Sequence, residues 1–403
     1  MQLPEDFIRS TREVMGDERF GRYLKAFDED APVSIRLNPR KAGGLVATGG
    51  ERAPWCAEGF YLPRRPNFTF DPLLHAGCYY VQEASSMFIS HVLRQYVTTA
   101  VTMLDLCAAP GGKSTEAIAV LPEGSRLYSN EPLRQRANVL AENMAKWGYP
   151  NCIVTNNYPR DYRAAKMRFD VILCDVPCSG EGMFRRSAQR DAGADISEWS
   201  LQAVEKCWRL QRDIVADAWA CLNDGGLLIY STCTFNTKEN EENVRWMLTE
   251  FDDAQVLPVA TQPEWNITGS LLEGFDQPVY RFIPGISRGE GLFVCALRKG
   301  SGTDSGRKHK NHTVNGLRAM PIPPQTDAPS VALSYAQAMA YLRGEALTLP
   351  ADAPRGIVEV CFDGHPLGTV KNIGTRANNL YPKEWRIKTT HIPTDYEAIL
   401  RPA

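Results

Sequence analysis

The sequence lacks a long hydrophobic segment and a secretory signal. No apolar segment in its 403 residues approaches the ~20 residues that a membrane-spanning helix needs. The first residues, MQLPEDFIRSTREVMGDERF, carry acidic side chains early and contain no apolar stretch of the kind that a signal peptide has. We therefore expect a cytoplasmic protein that does not associate with a membrane.

The sequence also lacks paired cysteines. Its eleven cysteines are odd in number and scattered, with no CxxC pair and no Cys/His cluster at metal-ligand spacing. We therefore expect reduced thiols and no bound metal. Most cysteines lie among apolar residues, where a thiol behaves as a small buried hydrophobic group, as at Cys56, Cys152, Cys207, Cys221 and Cys361.

The sequence also lacks a large excess of charge of either sign, since its net charge is −2. This value gives no overall signature of nucleic-acid binding. Residues 301–403 contain 12 Lys and Arg against 9 Asp and Glu, an excess too small to establish a basic face. The length predicts two or three domains.

Short apolar segments alternate with amphipathic helical patterns through the middle of the chain. Five strands are predicted, at VTMLDL, SRLYSNEP, CIVTNN, FDVILCD and LLIYST. Five β/α units in succession predict a parallel sheet covered by helices, which is a Rossmann-like α/β fold. The helix after the fifth strand is expected to begin near Asn236 or Thr237, and VYRFIPG and EGLFVCALRK predict a final hairpin.

The composition divides the chain into four regions. We predict an N-terminal α+β segment at 1–80, the α/β domain at 81–299, a linker at 300–313 and a small C-terminal module at 314–403. The linker is predicted from its Gly, Ser and basic residues. The C-terminal module combines a short helix with alternating strands, so it is α+β or barrel-like.

The loop LDLCAAPGGKST (104–115) joins the first strand of the sheet to a helix through small residues. Such residues let the backbone approach a ligand closely at a helix N-terminus. The loop fits neither the GxxxxGK[ST] nor the GxGxxG pattern. Glu131 ends the next strand, where a carboxylate can accept hydrogen bonds from both ribose hydroxyls of a nucleoside. Together the two features predict a nucleoside-bearing cofactor.

Two cysteines follow neighbouring strands of the predicted sheet. Asp175 and Cys178 come after FDVILC, and Cys233 comes after LLIYST. Because parallel strands end at one rim, both thiols are expected to face the same crevice. A thiolate that adds to C6 of cytosine makes C5 nucleophilic towards a sulfonium methyl group. An acid near N3, here Asp175, assists the addition, and a nearby helix N-terminus is expected to lower the pKa of Cys233.

The segments CAAPGGK, DVPCSGEG and YSTCT, in this order, resemble the Sun-family RNA cytosine-C5 methyltransferases, which include bacterial 16S rRNA enzymes. PVSIRLN and HAGCYYVQEASSM look like the N-terminal RNA-binding segment of that family, so the resemblance covers roughly residues 30–300. YLRGEAL, PLGTVKN and NNLYPKEWRI are similar to the PUA-like extension of the rRNA-methylating branch. The resemblance implies a class I methyltransferase that uses S-adenosyl-L-methionine, acts on RNA in rRNA or the small ribosomal subunit, and is a monomer.

The resemblance also assigns roles to residues. It makes Cys233 the nucleophile, Cys178 the residue that assists release of the methylated RNA, and Asp175 a neighbour of both cofactor and base. Where the family usually has an Asp for the adenine amino group, this chain has Asn157 and Tyr158. The implied cofactor contacts are Cys107, Ala108, Ala109, Pro110, Gly111, Gly112, Lys113, Glu131, Asn157 and Asp175.

Arginines near aromatic rings are typical of contacts with single-stranded RNA. A solvated surface explains scattered arginines equally well. For Tyr381 and Trp385, base stacking and core packing are both open, and core packing is favoured for Trp385. The candidate RNA contacts are Arg36, Arg40, Lys41, Arg64 and Arg65 beside Phe68 and Phe70, and Arg185 and Arg186.

Several alternatives stay open. A DNA cytosine-C5 methyltransferase would attack with the cysteine of the PC motif, which here is Cys178. A second alternative is a non-catalytic ribosome-assembly factor that keeps the fold for RNA binding. A third is a cytosine-C5 methyltransferase that acts on tRNA or 23S rRNA. An amino-methylating enzyme would have an (N/D)PPY loop where this chain has DVPCSG.

Overall fold

The computed structural model describes residues 3–189, 194–300, 316–322, 327–389 and 391–403. The predicted linker lies outside the described residues from residue 301 onwards. Within the described residues, no helix is both long enough and apolar enough to cross a membrane.

The N-terminal region is an α+β unit built on an antiparallel sheet in the order β3-β4-β1-β5. Its long first helix is interrupted at Gly16, whose φ of 73° is outside the helical range. The elements are α1 (Glu5–Lys25), β1 (Val33–Leu37), β2 (Leu45–Ala47), β3 (Glu51–Arg52), β4 (Gly59–Leu62), α2 (Pro72–His75) and β5 (Tyr79–Val81).

The central region is an eight-stranded sheet with helices on both faces. Its strands are β6 (Thr102–Asp105), β7 (Arg126–Asn130), β8 (Cys152–Thr155), β9 (Phe169–Asp175), β10 (Leu222–Thr232), β11 (Ala254–Leu257), β12 (Tyr280–Phe282) and β13 (Leu292–Lys299). Its helices are α3 (Phe88–Tyr96), α4 (Gly112–Val120), α5 (Arg134–Trp147), α6 (Pro159–Ala164), α7 (Phe184–Gln189), α8 (Ala194–Ser197), α9 (Leu201–Cys221) and α10 (Glu241–Glu250).

The strand order is β11-β13-β10-β9-β6-β7-β8, and β12 pairs with β13. The first five strands of the region are parallel, and β13 is antiparallel to β10. This confirms the five predicted β/α units and the final hairpin. Strand β6 lies between β7 and β9, so the strand order reverses at β6. In an open parallel sheet, the loops on the two sides of such a point diverge and leave a ligand crevice at the carboxyl ends of the strands.

Both faces of the central sheet are buried, which explains why its strands are apolar at consecutive positions. Met103, Val171 and Leu227 pack into one core, and their successors Leu104, Ile172 and Leu228 pack into the core on the opposite face. The register pairs these residues across β6, β9 and β10. The sheet therefore holds the carboxyl ends of the three strands at a fixed level.

Helix α10 begins later than the sequence predicts. Its first residue is Glu241, not a residue near Asn236 or Thr237. The Asn236 side chain accepts a hydrogen bond from the Glu239 main-chain N–H (2.8 Å) in the turn before the helix. The prediction that the helix begins near Asn236 or Thr237 is therefore wrong, and the helix N-terminus lies further along the chain from Cys233 than expected.

The C-terminal region packs against the N-terminal region instead of standing apart. β18 pairs with β2, and Tyr341 and Tyr381 are buried in a core that includes Phe60 of β4. Tyr381 therefore fills the core, and Trp385 packs partly buried against it. The elements are β14 (Ser330–Ala332), α11 (Tyr335–Leu342), β15 (Gly356–Phe362), β16 (His365–Asn372), β17 (Ala377–Asn379) and β18 (Leu400–Pro402), with β14 to β17 forming one sheet.

Arg36 joins the N-terminal sheet to the central domain. It is 2% exposed and donates to the Gln82 side chain (2.8 Å) and the Thr115 hydroxyl of α4 (2.6 Å). Gln82 in turn donates to the buried carboxylate of Glu116 (2.7 Å), and the Arg36 guanidinium lies over the Trp147 ring. Arg36 is thus a structural residue, and its predicted contact with RNA is wrong.

Replacing Arg36 with Ala is expected to lower the free energy of unfolding by about 3 kcal/mol, because it leaves the buried Gln82 and Thr115 oxygens without their donor and removes the cation whose charge offsets that of the Glu116 carboxylate. Urea unfolding followed by circular dichroism measures this loss. The neighbouring Arg40 is exposed, so Arg40→Ala serves as the matched control and should change the free energy by less than about 0.5 kcal/mol. Equal stability of the two variants would contradict the structural role of Arg36.

Candidate active site

The loop after β6 reaches the carboxyl end of the sheet and turns into α4. The turn contains a cis Ala109–Pro110 bond and Gly111 with φ of 116°, a conformation that favours glycine. Helix α5 holds the loop from the side: Arg136 donates to the Ala109 carbonyl (2.9 Å) and Asn143 to the Pro110 carbonyl (2.8 Å). The backbone of the loop is therefore fixed at a helix N-terminus.

Glu131 lies directly after β7, beside this loop. It is almost fully buried, accepts a hydrogen bond from the Leu133 N–H (2.9 Å), and forms an ion pair with Arg136 (3.2 Å). Arg136 thus connects the Glu131 carboxylate with the Ala109 carbonyl. The two predicted parts of the cofactor site are held together by one side chain.

Asn157 has a structural partner. Its side chain donates to the Arg318 carbonyl (3.2 Å) and accepts from the Arg318 N–H (3.1 Å). The segment around Arg318 continues along β8, where Met320 N–H donates to the Val154 carbonyl (2.8 Å). The amide that was predicted to bind adenine therefore fixes the chain that leads towards the C-terminal region.

Asp105, at the end of β6, has a carboxylate that is only partly satisfied. Ser114 donates to one oxygen (2.6 Å), and the other oxygen has no hydrogen-bond partner among the described residues. Burial raises the pKa of Asp105 to about 7. Burial also raises the pKa of Cys107, which keeps this loop thiol neutral.

The structure brings the two predicted reactive cysteines together. Cys178 Sγ and Cys233 Sγ are 3.3 Å apart, and the Cys233 N–H also lies 3.4 Å from Cys178 Sγ. The hydrogen bond with Cys233, together with burial, raises the pKa of Cys178 well above its ordinary value. Cys178 is therefore a neutral thiol beside the Cys233 sulfur.

Asp175 and Lys113 lie next to the cysteine pair. Lys113 Nζ donates to Asp175 Oδ2 (2.8 Å), and the Ser231 hydroxyl donates to Asp175 Oδ1 (2.7 Å). Burial acts to lower the pKa of Lys113, but the charge of Asp175 outweighs it and the pKa is raised; the Cys233 sulfur contributes in the same direction. Lys113 therefore links the cofactor loop to the cysteine site as a cation.

Four polar residues near the cysteines have roles that the sequence pattern does not predict. Glu181, Asn236 and Glu239 bridge the loops that carry Cys178 and Cys233, and Gln211 reaches them from α9. The only sequence feature that points to them is that a glutamate follows each cysteine closely: Glu181 in GEGMF follows Cys178, and Glu239 in KENEE follows Cys233. In a sequence such residues look the same as solvated surface acids.

The predicted RNA contacts divide into buried and exposed groups. Arg185 is 4% exposed and pairs with Glu290, so the prediction that it binds phosphate is wrong. Arg64, Arg65 and Arg186 instead line a groove of about 450 Å³ between the N-terminal sheet and α7. The positive charge in this groove therefore comes from two separate segments, and Arg64 also forms an ion pair with Glu397 (2.6 Å).

The groove lies at the same end of the sheet as the cysteines. Its wall residue Glu83 accepts a hydrogen bond from the Glu290 N–H (2.9 Å). The next residue, Gly291, packs on Gly182, whose N–H donates to the Cys233 carbonyl (2.6 Å). A chain of contacts thus connects the wall of the groove with the loop that carries Cys233.

Comparison with known proteins gives three consecutive family matches. The model for "16S rRNA methyltransferase RsmB/F" matches residues 96–298, a little more than half of the chain. The "N-terminal domain of 16S rRNA methyltransferase RsmF" matches residues 3–84, and the "Methyltransferase RsmF PUA domain" matches residues 328–387. These matches confirm the predicted class: a Rossmann-like methyltransferase fold with an N-terminal domain and a C-terminal PUA domain.

Two curated relatives carry the name "Ribosomal RNA small subunit methyltransferase F". The protein from Pectobacterium atrosepticum is 33% identical over 318 residues, and that from Cronobacter sakazakii is 34% identical over 314 residues. Each alignment covers 74% of this chain and 63% of the relative, so the chain spans less than two thirds of the length of these relatives.

Two solved structures from Pyrococcus horikoshii share the fold. A methyltransferase homolog is 25% identical with a TM-score of 0.59, covering 74% of this chain and 100% of that one. NSun6 with SFG is 19% identical with a TM-score of 0.61, covering 74% and 99%. The fold, the motifs and the family match over more than half of its length show that this chain belongs to the RsmB/F family of 16S rRNA methyltransferases.

Proposed function

We propose that the protein methylates C5 of a cytosine in 16S rRNA, with S-adenosyl-L-methionine as the methyl donor. The observation that carries this proposal is the pair of sulfurs 3.3 Å apart beside the Lys113–Asp175 ion pair. Two thiols at one rim suit a reaction in which one group attacks C6 and another acts at the adjacent C5. The description of the matched family, "16S rRNA methyltransferase RsmB/F", supports 16S rRNA as the substrate.

Cys233 is proposed as the nucleophile. Its thiolate adds to C6 of the cytosine while N3 takes up a proton, which the Lys113–Asp175 pair is proposed to supply. After C5 has gained the methyl group, a base removes the C5 proton, the sulfur–C6 bond breaks, N3 returns its proton to the pair and the Cys233 thiolate is restored. The raised pKa of Cys178 keeps that thiol neutral and so favours Cys233 over Cys178 as the attacking group.

The residues around the loop after β6 fit the cofactor. The buried Asp105 oxygen without a partner among the described residues can accept a hydrogen bond from a ligand. Glu131 is proposed to bind the ribose hydroxyls, and residues 107–113 the remainder of the cofactor. When bound, the cofactor supplies the methyl group.

The RNA strand is proposed to approach along the groove that Arg64, Arg65 and Arg186 line. A groove with basic side chains holds phosphates without reading bases. The cytosine must leave its stack to reach a sulfur in the crevice, so the substrate is an unpaired or flipped base. A non-catalytic assembly role is disfavoured because both thiols and the Lys113–Asp175 pair are in place.

Cys233→Ala is expected to abolish transfer of labelled methyl groups to 16S rRNA transcripts, because no covalent bond to C6 can form. Cys178→Ala is expected to accumulate a protein–RNA adduct that appears as a slower band on a denaturing gel. Cys207→Ala, on the partly buried face of α9, is the matched control and should turn over normally. An adduct in Cys233→Ala instead would reverse the two roles and favour the DNA-type mechanism.

The double variant Arg65→Ala/Arg186→Ala is expected to weaken RNA binding and to leave kcat at saturating RNA nearly unchanged. Each lost phosphate contact should reduce the slope of log K against log salt by about 0.7 for a single strand, so the slope should fall by roughly 1.4. Filter binding of the same transcripts between 50 and 200 mM salt, roughly the range in which such contacts are resolved, measures it.

The control for this prediction removes the same charge from the opposite rim. Arg126 begins β7 and Arg168 precedes β9, and both are exposed. Arg126→Ala/Arg168→Ala should keep the wild-type slope. If both double variants lose the same affinity, the effect is general electrostatics, and the groove is not the path of the RNA.

A further inference from the structure

Two buried carboxylates lie beneath the cysteine loops. Glu181 is 1% exposed and Glu239 is 0% exposed. Among the described residues, neither forms an ion pair with a Lys or Arg, although a buried charge is costly without compensation. Burial, together with the negative charge of Glu181, raises the pKa of Glu239 to about 7. Both carboxylates are instead satisfied by polar groups of the two loops.

Glu181 belongs to the loop of Cys178 but binds the loop of Cys233. Its Oε2 accepts hydrogen bonds from the main-chain N–H groups of Phe235 (2.6 Å) and Asn236 (3.0 Å). These two residues follow Cys233 by two and three positions. Glu181 therefore fixes the backbone that carries the proposed nucleophile.

Glu239 makes the reverse connection. It lies on the chain after Cys233, and its Oε2 accepts from the Ser179 N–H (3.0 Å), directly after Cys178. Gln211 of α9 donates to the same oxygen (2.7 Å) and to the Pro177 carbonyl (2.9 Å), directly before Cys178. Glu239 therefore fixes the backbone on both sides of the second thiol.

Asn236 ties the two carboxylates to each other. Its Nδ2 donates to Glu181 Oε1 (3.0 Å) and to Glu239 Oε1 (2.8 Å). The two loops also meet directly, since Gly182 N–H donates to the Cys233 carbonyl (2.6 Å). A methyl group at Gly182 would lie 2.5 Å from that oxygen and 2.7 Å from the Gly291 Cα, so this contact leaves no free space.

We propose that Glu181 and Glu239 are positioning residues that form a reciprocal clamp across the two loops and hold the two sulfurs at their separation. The inference rests on the proposed function for its catalytic meaning. C5 and C6 are adjacent atoms of one ring, so groups that act on them must stay close together while the ring is bound. Neither carboxylate is required to touch RNA or cofactor.

Glu239→Ala and Glu181→Ala are expected to lower kcat by on the order of 10²-fold, the effect of a displacement of about 1 Å in a catalytic group. KM for S-adenosyl-L-methionine should stay within about twofold, because the cofactor loop is held by α5 instead. Glu239→Gln keeps one acceptor oxygen and should retain an intermediate kcat. Gly182→Ala should also lower kcat, although both carboxylates remain, because the added methyl group pushes the loop of Cys178 away from the loop of Cys233.

A second readout measures the sulfurs without any reaction. A short bifunctional thiol reagent should join Cys178 to Cys233 in the full-length wild-type protein, as peptide mass mapping detects. The yield of this cross-link should fall at least fivefold in Glu239→Ala and Glu181→Ala. Glu242→Ala is the control. Glu242 lies three residues after Glu239 and its side chain is outside the clamp, so this variant should cross-link and turn over like the wild type.

The outcomes separate the two proposals. Wild-type cross-linking and kcat within twofold in both alanine variants would overturn the clamp, whatever the reaction is. Loss of the cross-link in both alanine variants, next to a wild-type protein that cross-links but transfers no methyl group to RNA, would support the clamp and overturn the proposed function. A uniform loss of folding in the alanine variants, seen by circular dichroism, leaves Glu239→Gln and Gly182→Ala to decide: unchanged cross-linking in both would count against the clamp.

Discussion

The parallel pairing of β9 with β10 is the constraint on which the rest of the site depends. The register places Cys174 opposite Tyr230 and Asp175 opposite Ser231, so the two strands end side by side. The Ser231 hydroxyl of β10 donates a hydrogen bond to the Asp175 carboxylate of β9 and so links the two strand ends. Because both chains leave the sheet at one level, two cysteines 55 positions apart in the sequence come within 3.3 Å. No local segment can create this proximity.

Regions outside the central sheet hold this arrangement from two sides. The buried Arg36 fixes α4, whose N-terminus carries the cofactor loop. Aromatic residues of α1 pack against the segments that follow the two cysteines, with Tyr23 edge-on to Phe235 and Phe7 edge-on to Phe184. The N-terminal region thus contributes to the shape of the site as well as to the proposed RNA groove. Its shared core with the C-terminal region extends this support to the other end of the chain.

The charges of the site are arranged around a single sulfur. Lys113 and Asp175 form an ion pair on one side, and Cys178 remains a neutral thiol on the other. Asp105 and Glu239, with pKa values raised to about 7 by burial, lie close to the same rim. Shifted titratable groups concentrated in one crevice are typical of active sites, where stability is given up for reactivity. This concentration agrees with the function proposed from the cysteines.

The sequence by itself determined the five β/α units, the glycine-rich loop and the placement of both cysteines at strand ends, because these follow from local periodicity and turn chemistry. Only the tertiary structure decided which polar side chains are functional. Asn157 is engaged by Arg318, 161 positions away, and Arg36 by Thr115, 79 positions away. Glu181 and Glu239 bind each other's loops across 55 to 60 positions. The role of a buried polar residue depends on its hydrogen-bond partner. Long-range packing selects that partner, and local periodicity in the sequence does not encode the packing.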